Sequence, residues 1–283
     1  MKTKKRISNI ITMIFLLAVA LFALFPIIYT VVSSFKTNSE LLSSPETFWP
    51  KEFTVDNYIQ AWQSENFKVG MMLFYSIAYT GVYVFATIMT SSMAGYAFAR
   101  GKFFLKKLWL ALFSATMFIH IVGVGVYPTF EVLGKINLTS SIWSLMLVRV
   151  FSVNIVNIYI TRSFIQQLPY SLDEAAKMDG LGFGGILFRI IIPLMKPTLA
   201  TIGLLAFQAS WNEYMLPTIF TINHPEQRTL IVGITALKST GEAAASWNLM
   251  LAGTVIALVP VLIFYLFGNR YFISGLAAGA VKG

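Results

Sequence analysis

Pro169-Tyr170-Ser171-Leu172-Asp173-Glu174-Ala175-Ala176-Lys177-Met178-Asp179-Gly180 is a polar island between long apolar runs, and Pro193 and Pro197 follow it. A simple connector needs no such order. Ser171 and Glu174 have the spacing of a capping box, in which a hydroxyl and a carboxylate three residues apart satisfy the free amides that open a helix. Gly180 tolerates the left-handed turn that closes one. The stretch predicts a short ordered helix on one membrane face, followed by a second short helix rich in Ile and Phe. Ala175 and Ala176 would let a partner surface approach closely. The same residues also fit a plainer reading, an amphipathic helix resting on headgroups through Leu172, Met178 and Leu181.

The membrane follows from composition. Of 283 residues, 57% are hydrophobic and only 12% charged, against about 25% charged in an average soluble domain. A helix needs about 20 apolar residues to cross the hydrocarbon. Charge-free runs of that length occupy 7–35, 69–99, 108–130 and 243–269. Two more, 136–161 and 198–223, are each broken by a single charge, Arg149 and Glu213. The reading is an all-α polytopic protein with six transmembrane helices, at about 9–34, 69–98, 108–130, 141–161, 198–222 and 247–269. Residues 169–197 form the loop between spans four and five, and 270–283 a tail.

Six spans put both termini on one side. The N-terminus, the second-to-third loop, the fourth-to-fifth loop and the tail together carry fourteen Lys and Arg, while the opposite loops carry six with eight acids. The cation excess places both termini in the cytoplasm. It also accounts for the net charge of +9, leaving nucleic-acid binding unnecessary and attraction to anionic lipid sufficient. Ala18-Val19-Ala20 imitates a signal-peptidase site, but the apolar run continues to Val32, so the first span is expected to stay as an anchor.

Absences narrow the chemistry. There is no cysteine, hence no disulfide, thiolate metal site or cysteine nucleophile, and two histidines make a poor metal site. Gly101-Lys102 is followed by Phe103 and lacks the upstream glycine of a phosphate-cradling loop, so this chain is not expected to hydrolyse ATP. No H-E-x-x-H, G-x-S-x-G or paired intramembrane carboxylates appear.

Among the loops, 36–68 is the largest polar segment. It is expected to form a small layer over the bundle with Phe48, Trp49, Phe53, Tyr58, Trp62 and Phe67 as interfacial anchors. The loop 222–246 ends in the small-residue run Ser239-Thr240-Gly241-Glu242-Ala243, which could protrude. Inside the bundle, Arg149 lies about 12 Å and Glu213 about 13 Å below the outer surface at a rise of about 1.5 Å per residue. His120 comes out slightly deeper. An ion in hydrocarbon faces a partner or a wet path, so these three could form one polar layer, as an interhelical pair, a substrate contact, or a passive wet position.

The segment Leu172-Asp173-Glu174-Ala175-Ala176-Lys177-Met178-Asp179-Gly180, with Phe188-Arg189-Ile190-Ile191-Ile192-Pro193 after it, resembles the E-A-A-x-x-D-G loop of binding-protein-dependent ABC importers. Trp211-Asn212-Glu213-Tyr214-Met215-Leu216-Pro217 and the ending from Tyr271 to Gly283 resemble the shorter, maltose-permease-like subunit of the carbohydrate-uptake branch. The resemblance implies a coupling helix, with Glu174, Ala175, Ala176, Asp179, Gly180 and Pro193 seated against an ATPase. It implies that Gly275, Gly279 and Lys282 reach between two ATPase subunits, and that Ser239, Thr240, Gly241 and Glu242 enter an extracytoplasmic binding protein. His120, Arg149, Asn212 and Glu213 become candidates for the translocation path. The partners it implies are a second homologous permease, two ATPases and the binding protein, in the cytoplasmic (inner) membrane of a bacterium or archaeon. ATP and magnesium would be used by the ATPases, with no cofactor or metal on this chain. The substrate would be a di- or oligosaccharide. The competing class is an ion- or proton-coupled secondary transporter, which would call for inverted repeats and discontinuous helices around a midplane site; neither is evident in the sequence.

Overall fold

The computed structural model describes residues 2–64, 67–118, 125–138, 141–239 and 246–280, with side chains over 9–64, 67–118, 125–138, 141–237 and 246–268. The described residues are nearly all helical. In chain order the helices are α1 Lys2–Ser33, α2 Asn38–Ser43, α3 Asp56–Gln63, α4 Val69–Arg100, α5 Lys106–Phe118, α6 Val126–Lys135, α7 Ile142–Val150 and α8 Ile155–Gln167. There follow α9 Ser171–Met178, α10 Phe183–Ile186, a π-turn Leu187–Ile191, α11 Ile192–Leu194 and α12 Lys196–Trp211. The last are α13 Met215–Phe220, a 3-10 turn Pro225–Gln227, α14 Leu230–Ser239 and α15 Trp247–Ala280.

Among the described residues four segments are long and apolar enough to cross a membrane: Asn9–Ser33, Val69–Arg100, Ile142–Gln167 and Trp247–Gly268. Phe183–Leu194 and Lys196–Trp211 meet the same criterion only when taken together as one broken segment, bent by 84°. The bend falls where Pro193 and Pro197 withhold two backbone donors from the helical ladder. The 108–130 run carries α5 and the start of α6, with 119–124 outside the described residues.

The chain divides into two compact units, Met1–Gly70 with Leu230–Val259, and Met71–Thr229 with Pro260–Gly283. In the first, buried Asn57 ties the polar segment 36–68 together. Its amide donates to the carbonyls of Ser34 and Lys36, each at 2.8 Å, and its oxygen accepts from Asn248 at 2.9 Å. Buried Lys36 donates to Thr47. Trp49, Phe53 and Trp62 are exposed, but Phe67 is buried, a core residue where an interfacial anchor was expected. The 222–246 segment also departs from a plain loop: α14 fills much of it, because Leu230 and Val232 have a core to enter.

In the second unit, α4 buries the small residues Thr87, Ser91 and Ser92 and meets α8 at Ser91 and Gly95. Small residues let membrane helices approach closely where lipid supplies no hydrophobic drive between them. Thr161 on α8 donates to the Ser91 carbonyl at 2.8 Å. A methyl group at Gly95 would stand 2.0 Å from the Thr161 hydroxyl oxygen, so this crossing requires glycine.

Two of the runs expected to be single spans are interrupted: 141–161 is broken over 151–154, and 198–222 over 212–214. The first break is built by polar capping inside an apolar run: Ser152 returns its hydroxyl to the Arg149 carbonyl at 2.8 Å, and Asn154 accepts from the Asn157 amide at 3.1 Å to open α8. Asn212 closes the α12 end by bonding the Gln208 carbonyl at 2.9 Å. The tail begins in helix, since α15 runs on through Ala280. Its alanines, 277, 278 and 280, are the strongest helix formers.

Candidate docking and translocation sites

The polar island folds as helix α9, but not through a capping box. The helix begins a residue early: the Glu174 amide donates to the Tyr170 carbonyl at 3.2 Å, Tyr170 stands at the cap without a side-chain bond, and Ser171 is already inside the first turn. Its closure is a Schellman turn. The Leu181 amide reaches the Ala176 carbonyl and the Gly180 amide the Lys177 carbonyl, both at 2.9 Å, and Gly180 takes φ +80°. An L side chain there would carry the left-handed penalty.

The helix divides sharply between two faces. Asp173 and Ala176 are buried, each 2% exposed, while Glu174, Ala175, Lys177, Met178, Asp179 and Gly180 face outwards. Ala176 is thereby removed from any partner surface. It packs with Tyr96, Ile165, Ile186, Leu187, Ile191 and Met195 in a core that seats α9 on the ends of α4 and α8. Asp173 is the fastening. Arg100, the last residue of α4, approaches its carboxylate at 3.1 Å, and the Tyr96 hydroxyl donates to it at 2.8 Å. Arg100 also donates to the Leu168 carbonyl at 2.6 Å. The buried carboxylate is thus paired in charge with one guanidinium and hydrogen-bonded by one phenol, while its second oxygen faces Arg100 Nε as a charge contact without hydrogen-bond geometry. The sequence motif drew attention to Glu174; the fastening through Asp173, Tyr96 and Arg100 lay outside it. The available signal was one buried-side acid three residues from Ala176, and one arginine ending an apolar run. Pro193 is exposed at the bend.

The second site joins the two broken spans. Arg149, in the last turn of α7, pairs with Glu213 in the break after α12, and both hydrogen-bond to Tyr79 of α4. The Tyr79 hydroxyl donates to Glu213, and Arg149 Nε donates to the Tyr79 oxygen at 2.9 Å. The guanidinium also lies over the Tyr83 ring, 5.2 Å from its centroid. Arg149 and Glu213 retain only 17% and 19% of side-chain exposure. Three helices are therefore tied at one neutralised knot, beside the helix breaks. Tyr79 could not be singled out from sequence, where it is one of twelve tyrosines.

Asn212 is not in the knot. It is exposed and shares a groove of about 290 Å³ with Phe207, Gln208, Phe264 and Tyr265. Phe207 stacks on Phe264 at 4.1 Å and on Trp211 at 5.5 Å. His120, Thr240, Gly241, Glu242 and Lys282 lie outside the described residues; Ser239 ends α14, and Gly275 and Gly279 lie within α15. Among the described residues no cluster of His, Asp and Glu could hold a metal ion.

The fold is that of a multi-span helical protein with a short helix fastened against the ends of α4 and α8. Residues 89–273 match the family described as binding-protein-dependent transport system inner membrane component. The chain belongs to that family of transport permeases. It is 35% identical over 262 residues, 92% of this chain and 89% of the relative, to the sulfoquinovosyl glycerol transport system permease protein of Agrobacterium fabrum. It is 32% identical over 286 residues, 98% of each chain, to the trehalose/maltose transport system permease protein of Thermococcus litoralis. A chain in the crystal structure of a bacterial ABC transporter involved in the import of the acidic polysaccharide alginate shares the fold, with a TM-score of 0.81, 24% identity, and coverage of 95% of this chain and 98% of that one. Broken spans are thus a property of this permease chain and do not single out a secondary transporter.

Proposed function

We propose that this chain is one of two membrane subunits of an ATP-driven importer for a di- or oligosaccharide, embedded in the cytoplasmic (inner) membrane of a bacterium or archaeon. It crosses the bilayer six times with both termini in the cytoplasm, pairs with a homologous second permease, and docks one of two ATPases. A binding protein delivers the sugar from outside, with the Ser239–Glu242 segment as its contact and the tail, through Gly275, Gly279 and Lys282, reaching the ATPases. ATP and magnesium act on the ATPases; this chain carries neither catalytic residues nor cofactor. The family description and the carbohydrate-related names of the relatives support the class.

The observation that carries the mechanism is the two-faced α9, anchored inside by Asp173 and presenting Glu174, Ala175, Lys177 and Asp179 outside. A helix fastened to α4 and gripped on its other face moves the spans when the gripping surface moves, so the bundle switches between two packed states.

For the sugar path, the Asn212 and Gln208 amides and the Phe207 and Phe264 rings form a surface suited to hydroxyls and to the apolar faces of a pyranose. The Arg149–Glu213–Tyr79 knot closes on itself, which suits a structural tie better than a free contact.

Glu174→Lys, or Gly180→Val, should abolish most binding-protein-stimulated ATP hydrolysis in the reconstituted complex while sugar affinity of the isolated binding protein stays unchanged. Wild-type stimulation in both variants, at equal complex abundance, would exclude α9 as the coupling element.

A further inference from the structure

We propose that the cleft between the end of α4, the connector 101–105 and α9 holds the phosphate-ester headgroup of an anionic phospholipid, with its acyl chains against Phe103 and Phe104. The proposal rests on the topology above only in placing this edge at the cytoplasmic leaflet, where anionic lipid is concentrated and basic pockets between spans bind headgroups.

The cleft has a volume of about 330 Å³, and Arg100, Lys102, Lys177, Tyr170 and Asp173 are among its lining residues. Its charge is unbalanced. The one carboxylate, Asp173, is already engaged by Arg100 and Tyr96, and among the described residues Lys102 and Lys177 form no ion pair. Arg100 and Lys177 both lie over the Tyr170 ring, at 5.2 and 5.6 Å, and one carboxylate, Asp173, stands against the three cations Arg100, Lys102 and Lys177 of the lining.

A second group of cations adjoins the first. Lys106 donates to the Gly101 carbonyl at 2.9 Å, which keeps it beside the cleft wall. Burial, and then the nearby Arg162 charge, push its ammonium below the usual lysine range. Arg162 Nε is buried and has no hydrogen-bond partner among the described residues. A buried lysine held beside an arginine is stabilised in its charged form by a nearby anion.

The third observation selects a lipid over a soluble anion. Phe103, Phe104 and Leu105 follow Lys102 directly and are all exposed, Phe104 at 85%. Leu105 holds φ +57°, a left-handed conformation unfavourable for a branched side chain, so the connector keeps a defined shape that turns apolar groups outwards. Rings beside lysines are the pattern of a segment at headgroup depth. An acidic side chain of the ATPase would satisfy the cations and leave these residues without a role. Because Lys177 lies in the last turn of α9 and Tyr170 stands at its N-cap, an occupied site would also stiffen the docking element.

The test uses the purified transporter complex containing this chain in phosphatidylcholine bilayers, probed with spin-labelled phosphatidylglycerol and with spin-labelled phosphatidylcholine. The wild-type complex should immobilise the anionic probe preferentially. Lys102→Gln with Lys106→Gln should lower that preference by about thirtyfold at this site, two surface cations' worth. Phe104→Ser should weaken both probes, and soluble glycerol phosphate should not compete. A preference unchanged in the double lysine variant overturns the proposal, as does full competition by glycerol phosphate, which would mark a soluble-anion site. Loss of ATPase subunits from the lysine variant with no lipid preference in wild type would assign the cations to the ATPase instead. The probe measurement needs no transport, so its failure leaves the importer reading standing, and failure of ATP-driven uptake leaves the lipid site standing.

Discussion

Removing Arg149 would leave Glu213 charged at a depth where solvation is scarce, and breaking a buried pair from one side costs about 3–5 kcal/mol. Arg149→Ala should therefore lower the melting temperature of the complex and reduce uptake more than the double change Arg149→Ala with Glu213→Ala, which removes both charges. Tyr79 complicates the cycle, since it donates to Glu213 and accepts from Arg149. Tyr79→Phe in the wild-type and double-variant backgrounds separates its part. Strict additivity of the Arg149 and Glu213 effects in both stability and uptake would show that the pair is energetically idle. At this scale the two lone charges were legible, because an ion inside an apolar run is conspicuous. Their common partner was not, because a tyrosine in a membrane helix is ordinary. The docking stretch shows the same asymmetry: Gly180 declared its turn, whereas Ser171 and Glu174 mimicked a cap that Tyr170 and the early helix start displaced.

The elements are governed by how closely they approach. α4 and α8 meet through Ser91, Gly95 and Thr161, with no room for one added methyl. Gly95→Ala should overpack this crossing and destabilise the complex by about 1–3 kcal/mol, read as a lowered thermal midpoint, whereas Gly81→Ala, on the same helix in open space, should change it little. Equal effects of the two substitutions would show that the contact does not set the α4–α8 distance. Hydropathy located these helices but not their interruptions. Window-averaged apolarity does not register one Ser and one Asn that cap inwards at 152 and 154, nor distinguish a span from a span with a break. The buried Phe67 and helix α14 were hidden for a related reason: both depend on a core assembled from distant parts of the sequence.

For the whole molecule, the charge asymmetry, the apolar runs and the stretch 169–180 together made the transport class readable, because the first two record the bilayer as solvent and the third carries the residues of the family resemblance. The fastening of α9 by Asp173, Arg100 and Tyr96 required three residues far apart in sequence to meet, and only the fold brings them together. The account treats this chain as a converter of a partner's ATP-driven motion into alternating access, with no energy source of its own. Sugar uptake into proteoliposomes containing both permeases, with the ATPases and ATP inside and the loaded binding protein outside, tests that claim directly. Uptake should require internal ATP and persist when a protonophore collapses the membrane potential and pH gradient. Uptake that continues without ATP and stops with the protonophore would contradict the account and make the chain part of an ion-coupled transporter.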